Sequence, residues 1–228
     1  MKNLMLLLFS LALTSVIAEP TRSLLSAKNS AIASKGSDPL PDGLVRVEYI
    51  ESTGEQYIDT DIIPSSKTGL SINFQVVRYN DGCCGIYRQN PYRNFYFNLW
   101  NSKIYFRMCE YTSSGISAGL NIFGVNNVVM YRGACIVNGI VVADGIEVQP
   151  LDSSIDTFTI FAYRVNGNIR GYCIIRCFGF QMVEDDEIVL DLIPVRDGKV
   201  GALYDNVSGG VFYNDGTGSF IIGPDKEL

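Results

Sequence analysis

Two short runs carry the residues best suited to chemistry. The chain reads NFYFNLW over 94–100 and KIYFRMC over 103–109. Side chains alternate between faces along an extended strand. Phe95, Phe97 and Leu99 therefore share one side of the first run, and Asn94, Tyr96, Asn98 and Trp100 the other. In the second run Ile104, Phe106 and Met108 oppose Lys103, Tyr105, Arg107 and Cys109. The Asn101-Ser102 junction is short enough for a hairpin, which brings the two mixed faces together. Flat aromatic faces stack on the C–H side of a sugar ring, and planar amide and guanidinium groups offer fixed partners to hydroxyls. Asn94, Tyr96, Asn98, Trp100, Tyr105 and Arg107 are accordingly the predicted carbohydrate-binding residues, with Tyr87, Tyr92 and Arg93 placed for a rim. The competing expectation is that Tyr96 and Trp100 pack beneath loops with their polar tips satisfied locally.

The remaining chemistry is narrowed by what is missing. Histidine is absent, which removes Ser-His, Cys-His and His-metal arrangements together. Most hydrolytic chemistries left would have to use paired carboxylates, or a Lys or Tyr base. The densest acid cluster, Glu184-Asp185-Asp186-Glu187 with Asp191 following, falls between two strand patterns and reads as a solvated turn. A glycosidase needs carboxylates converging across a sugar, so no catalytic residue is assigned and the chain is expected not to be an enzyme. Calcium at this turn, or at Asp205 with Asn206, is conceivable for oxygen ligands. No motif demands it, and neither a cofactor nor a metal site is predicted.

The chain has six cysteines, Cys83, Cys84, Cys109, Cys135, Cys173 and Cys177. An even set in an exported chain makes disulfides plausible. Pairing Cys83 with Cys84 would close a strained ring. Cys173 and Cys177 lie ~13 Å apart in an extended strand, beyond the usual disulfide Cα separation of about 4.4–6.8 Å. Other pairings stay open, as do buried thiols.

The elements that must position these residues are strands. Short apolar runs alternate with Asn/Gly/Asp/Ser turns, and no long stripe at helical spacing is present. Predicted strands cover 44–51, 56–62, 69–78, 93–100, 103–109, 125–131, 135–143, 157–165, 173–183, 188–195 and 218–222. So many strands in one unit imply two packed antiparallel sheets. Upstream, Lys2, the apolar run Leu4–Leu13 and Ala18 read as a secretory signal peptide over 1–18. Residues 19–40 are rich in Ser, Ala, Lys and Pro and read as a flexible linker. That leaves 41–228 as one domain.

The opening LVRVEYIESTGEQYIDTDIIP, Leu44 to Pro64, and the close from Asp191 to Phe220, with Gly201-Ala202-Leu203-Tyr204-Asp205, Val211-Phe212-Tyr213-Asn214 and Gly216-Thr217-Gly218, carry a resemblance. They resemble the two ends of laminin-G-like, concanavalin A-like lectin/glucanase sandwich domains found in bacterial exported proteins and phage tail or receptor-binding proteins. The resemblance covers Leu40 to Pro224 and matches only loosely over Asp81 to Ile155. It implies a two-sheet antiparallel β-sandwich of jelly-roll type.

With 18 basic against 24 acidic residues the chain carries −6, which disfavours nucleic acid and anionic membrane surfaces. The Leu4–Leu13 run is short for a membrane span, and no later apolar run reaches membrane length. The leading expectation is an exported recognition module, secreted, periplasmic or on the cell surface, that binds a glycan or another cell-surface ligand. The alternatives are a structural or adhesive domain that binds a protein partner, and a divergent glycoside hydrolase.

Overall fold

The computed structural model describes residues 40–78, 82–88, 94–101, 103–108, 111–112, 120–121, 124–146, 148 and 156–226. The expected signal peptide, nearly all of the expected linker, Cys109 and the Cys83 side chain lie outside the described residues. The first strands are β1 (Leu44–Arg46), β2 (Ile50–Glu51), β3 (Ile58–Asp59), β4 (Thr68–Arg78), β5 (Gly82–Tyr87), β6 (Phe95–Trp100) and β7 (Lys103–Met108). Then come β8 (Tyr111–Thr112), β9 (Val125–Tyr131), β10 (Ala134–Val137), β11 (Ile140–Ala143), β12 (Thr159–Ile160), β13 (Tyr163–Val165) and β14 (Asn168–Arg170). The last are β15 (Ile174–Glu184), β16 (Glu187–Asp197), β17 (Val200–Asp205), β18 (Val211–Phe212) and β19 (Ile221–Ile222). The fold is all-β, as the alternation predicts.

An 11-stranded sheet runs β11-β10-β9-β4-β15-β16-β17-β18, with β1 beside β16 and β2 between β15 and β19. A 6-stranded sheet runs β14-β13-β5-β6-β7-β8, and β3 and β12 form a short ribbon. The two sheets pack face to face through aromatic contacts. Phe74 on β4 meets Phe97 on β6 with ring centres 5.8 Å apart. Phe158 bridges Phe95 at 5.9 Å and Phe180 at 5.6 Å. Among the described strands, β13 pairs with β5 in parallel and the other pairings are antiparallel.

Period-two patterning explains which faces close. On β4, Leu70, Ile72, Phe74 and Val76 point into the core. On β15 the inward set changes parity, from Ile175 and Cys177 to Phe180 and Met182. A register shift between Cys177 and Gly179 makes this possible. The extra residue of a β-bulge resets which side chains face inward, and Phe178, left over, packs on Tyr49 at 5.5 Å.

The opening and closing segments form one unit. Ile50 pairs with Ile222, and the bend after β2 is filled by the buried amide of Gln56. Its Oε1 accepts from the Thr53 N–H at 2.7 Å and the Thr53 hydroxyl at 3.0 Å, while Nε2 donates to the Thr217 carbonyl at 2.9 Å. The Tyr57 N–H donates to Asn214 Oδ1 and the Asp59 N–H to Asp215 Oδ2. A Cβ on Gly216 would stand 2.1 Å from the Glu55 carbonyl oxygen, so glycine is required there. The terminal motifs are thus structural closure.

Candidate functional site

The small sheet turns its apolar face inward and leaves a mixed face outward. Phe95, Phe97, Leu99, Ile104, Phe106 and Met108 are all buried, while the residues between them are partly or fully exposed. Strand register arranges the outer residues in rows. One row runs Arg170, Tyr163, Gly85, Tyr96, Arg107 across β14, β13, β5, β6 and β7. The next pairs Asn98 with Tyr105, and the last pairs Trp100 with Lys103.

Gly85 is the pivot of the first row. Its φ is +126°, and a Cβ there would lie 2.3 Å from the Phe95 carbonyl oxygen and 2.4 Å from the Tyr96 Cβ. No side chain fits between Tyr163 and Tyr96, so the rings lean together over the glycine and stack at 5.5 Å and 21°. Tyr87 meets the Tyr96 ring edge-on at 5.6 Å. The Arg107 guanidinium sits 5.1 Å from the Tyr87 ring centre and 5.9 Å from that of Tyr96, within the range of cation–π attraction. Burial pushes the Tyr96 phenol above its ordinary pKa, against the pull of the Arg107 charge. It is therefore a neutral hydroxyl at physiological pH.

Five of the predicted residues share this face: Tyr96, Asn98, Trp100, Tyr105 and Arg107. Trp100 is 52% exposed and tilts against Tyr105 at 5.7 Å. Asn94 does not join them. It is fully buried just before β6, and its Oδ1 accepts from the Arg88 N–H at 3.1 Å. Alternation gave its parity, but Asn94 precedes the first paired residue of β6, and its amide is spent on the backbone of Arg88. Tyr163, absent from the predicted set, is the addition.

Two polar atoms on this face lie out of contact with water and without a hydrogen-bond partner, Asn98 Oδ1 and Arg107 Nε. The others among the described residues are Arg46 Nε and Arg164 Nε. Arg164 is otherwise engaged, donating through Nη2 to Asp59.

Elsewhere, Glu184, Asp185, Asp186, Asp191 and Asp205 are each engaged by neighbouring groups. Glu184 pairs with Glu187 across a tight hairpin whose central residues, Asp185 and Asp186, have φ of 50° and 73°. Positive φ at both positions matches the two-residue turn that suits strand twist. The acid run is an exposed turn, as expected, and is also tied down: Lys67 binds Asp185 and Arg132 binds Asp186, each at 2.8 Å. Glu184 accepts from the Ser65 and Thr68 hydroxyls, and Asp186 from Tyr131. Asp205 is buried and accepts from the N–H groups of Asp191, Val207 and Ser208. Among the described residues no group of three or more Cys, Asp or Glu is arranged to hold a metal ion.

A recess of about 440 Å³ is lined by Asp59, Asp61, Phe212, Tyr213 and Asp215. Asp59 accepts from the Asp61 N–H and from Arg164, and Asp215 from the Asp59 N–H. These carboxylates shape a turn.

The expected disulfides are not formed among the described cysteines: Cys84, Cys135, Cys173 and Cys177 are buried in the apolar core. Burial pushes the thiols of Cys135 and Cys177 up to about 12, so they pack as small apolar groups. Across the described residues no helix is long and apolar enough to cross a membrane. No protein-family model, no curated protein and no solved structure matches the chain.

Proposed function

We propose that this chain is an exported, non-catalytic recognition domain of the laminin-G-like, concanavalin A-like kind, and that it binds carbohydrate on the outer face of the small sheet. The observation that carries this is the pairing of aromatic surfaces with unmet polar atoms. Tyr96, Tyr105 and the exposed Trp100 offer rings, while Asn98 Oδ1 and Arg107 Nε lack partners. A buried polar atom without a partner costs about 1–3 kcal/mol. Such a cost is recovered when a ligand supplies the missing hydrogen bond. Both side chains are partly exposed, so a small rotation brings these atoms to a ligand. A sugar matches the demand, with C–H faces for the rings, hydroxyl donors for Asn98 and acceptors for Arg107.

Binding to a glycan array, followed by calorimetric titration of the best binder, tests this reading. Trp100→Ala and Asn98→Ala are each expected to weaken binding at least tenfold while far-ultraviolet circular dichroism stays unchanged. Attachment to a protein partner alone, with no glycan bound, would instead favour an adhesive domain. Hydrolysis of a polysaccharide would overturn the non-catalytic reading.

A further inference from the structure

We infer that the carbohydrate taken by this face is an acidic one, a glycan bearing carboxylate or sulfate groups, with Arg107 as its anion-binding residue. This rests on the carbohydrate reading above and specifies its ligand. The chain as a whole is acidic, with 24 Asp and Glu against 18 Lys and Arg. The small sheet is the reverse. Its strands read GCCGIY, FYFNLW, KIYFRM, YT, YRV and NIR, with Lys103, Arg107, Arg164 and Arg170 and no Asp or Glu. Arg164 is paired with Asp59. Lys103, Arg107 and Arg170 have no carboxylate partner among the described residues, and Arg107 and Arg170 share one cross-strand row.

The geometry around Arg107 suits an anion. Rings of Tyr87 and Tyr96 lie 5.1 and 5.9 Å from its guanidinium carbon. Nε, on its planar N–H edge, makes no hydrogen bond and is shielded from water until the side chain turns outward. That edge presents parallel donors matching the oxygens of a carboxylate or sulfate. Burial of the adjoining Tyr96 lowers the local dielectric and strengthens such a pair. A neutral sugar would cover the guanidinium without compensating its charge, which is unfavourable.

Register also gives a direction. Arg170 and Arg107 flank the stacked Tyr163 and Tyr96 along a row that continues to Thr112 on β8. Strand spacing of ~4.8 Å over four steps sets their backbones about 19 Å apart. An anionic oligosaccharide laid across the strands meets a cation, then rings, then a cation.

The test titrates the purified protein with a uronate oligosaccharide, a sulfated oligosaccharide of neutral backbone, and the methyl-esterified or desulfated counterpart of each. At least one acidic form is expected to bind tenfold or more tightly than its neutral counterpart, and to weaken as salt rises from 50 to 200 mM. The two acidic arms decide between carboxylate and sulfate. Arg107→Gln is expected to abolish the preference, and Arg107→Lys to reduce affinity several-fold. Arg170→Gln, at an exposed edge position, is expected to lower affinity two- to five-fold and serves if the Arg107 variants fail to fold. Equal binding of neutral and acidic forms, unaffected by Arg107→Gln, overturns this inference and leaves the carbohydrate reading standing. Binding of no panel or array glycan overturns both.

Discussion

Gln56 in the closing unit and Asn98 on the tyrosine face are both side-chain amides in contact-rich surroundings, and they are treated in opposite ways. The Gln56 oxygen accepts from both the backbone and hydroxyl of Thr53, and its nitrogen ties the opening segment to Thr217. The Asn98 oxygen is shielded from water and meets no donor. Around Gln56 each neighbour is engaged as well, with Asn214 and Asp215 accepting from the backbone of β3 and its approach. Around Asn98 the neighbours are rings and an arginine whose Nε is also unmatched. Saturated networks specify a fold, because each lost partner leaves a buried group exposed to its full desolvation cost. Unsaturated ones hold potential for a ligand. The opening and closing segments belong to the first kind, and the candidate binding residues to the second.

The comparison breaks most sharply at Gln56. Gln56→Ala strands the Thr53 N–H and the Thr217 carbonyl and opens a cavity, so a loss of about 4 kcal/mol is expected in urea denaturation. Ligand affinity of the folded fraction should stay unchanged. Gly85→Ala comes next, at about 3 kcal/mol, because it combines a φ of +126° with a contact against the Phe95 carbonyl. It should also part the Tyr96–Tyr163 stack and so lower affinity, which Gln56→Ala should not. Asn98→Leu sharpens the contrast from the other side. Replacing a buried unpaired amide oxygen with methyl groups should leave stability unchanged or raise it by up to about 1 kcal/mol, while binding is lost. Stability falling by several kcal/mol would mean that Asn98 is a structural amide after all.

The smallest effect concerns acid. Lys67 holds the Asp185 carboxyl, and Arg196 the Asp225 carboxyl, below the ordinary value of 3.8. A carboxylate whose pKa is depressed on folding stabilises above its unfolded pKa, and that contribution fades as pH falls through the folded value. Both pairs are at the surface and screened. Lys67→Ala should therefore lower the thermal midpoint slightly at pH 6 and not at all at pH 2, as scanning calorimetry at the two pH values would show.

How far the sequence reaches depends on whether a contact is local. Strands β4, β6, β7, β9, β15 and β16 follow from period-two alternation, and the β6–β7 hairpin from its short junction. The expected single strand over 135–143 is instead the hairpin of β10 and β11, turning at Asn138-Gly139, whose φ angles are 50° and 81°. The Asn-Gly pair is itself a turn signal inside that span. The expected strand over 157–165 breaks at Phe161, with φ of 70°, where the chain leaves the β3 ribbon and joins β5. Strands β5 and β17 are diluted by Gly, Ala and Cys, and their neighbours supply the pairing that propensity does not.

The binding face divides the same way. Tyr96, Asn98, Trp100, Tyr105 and Arg107 lie on adjacent paired strands, so parity alone assembles them. Tyr163 arrives through a parallel pairing between β13 and β5. Local sequence carries no mark of that contact, except a glycine at 85 that leaves room for it.

Trp100 gives the most direct measurement of the central claim, because it is the chain's only tryptophan and is 52% exposed on the proposed face. Titrating the protein with the best array binder while following tryptophan fluorescence should give a saturable change, with the same affinity as calorimetry. Calorimetric binding with the fluorescence unchanged throughout would place the ligand elsewhere and contradict the account.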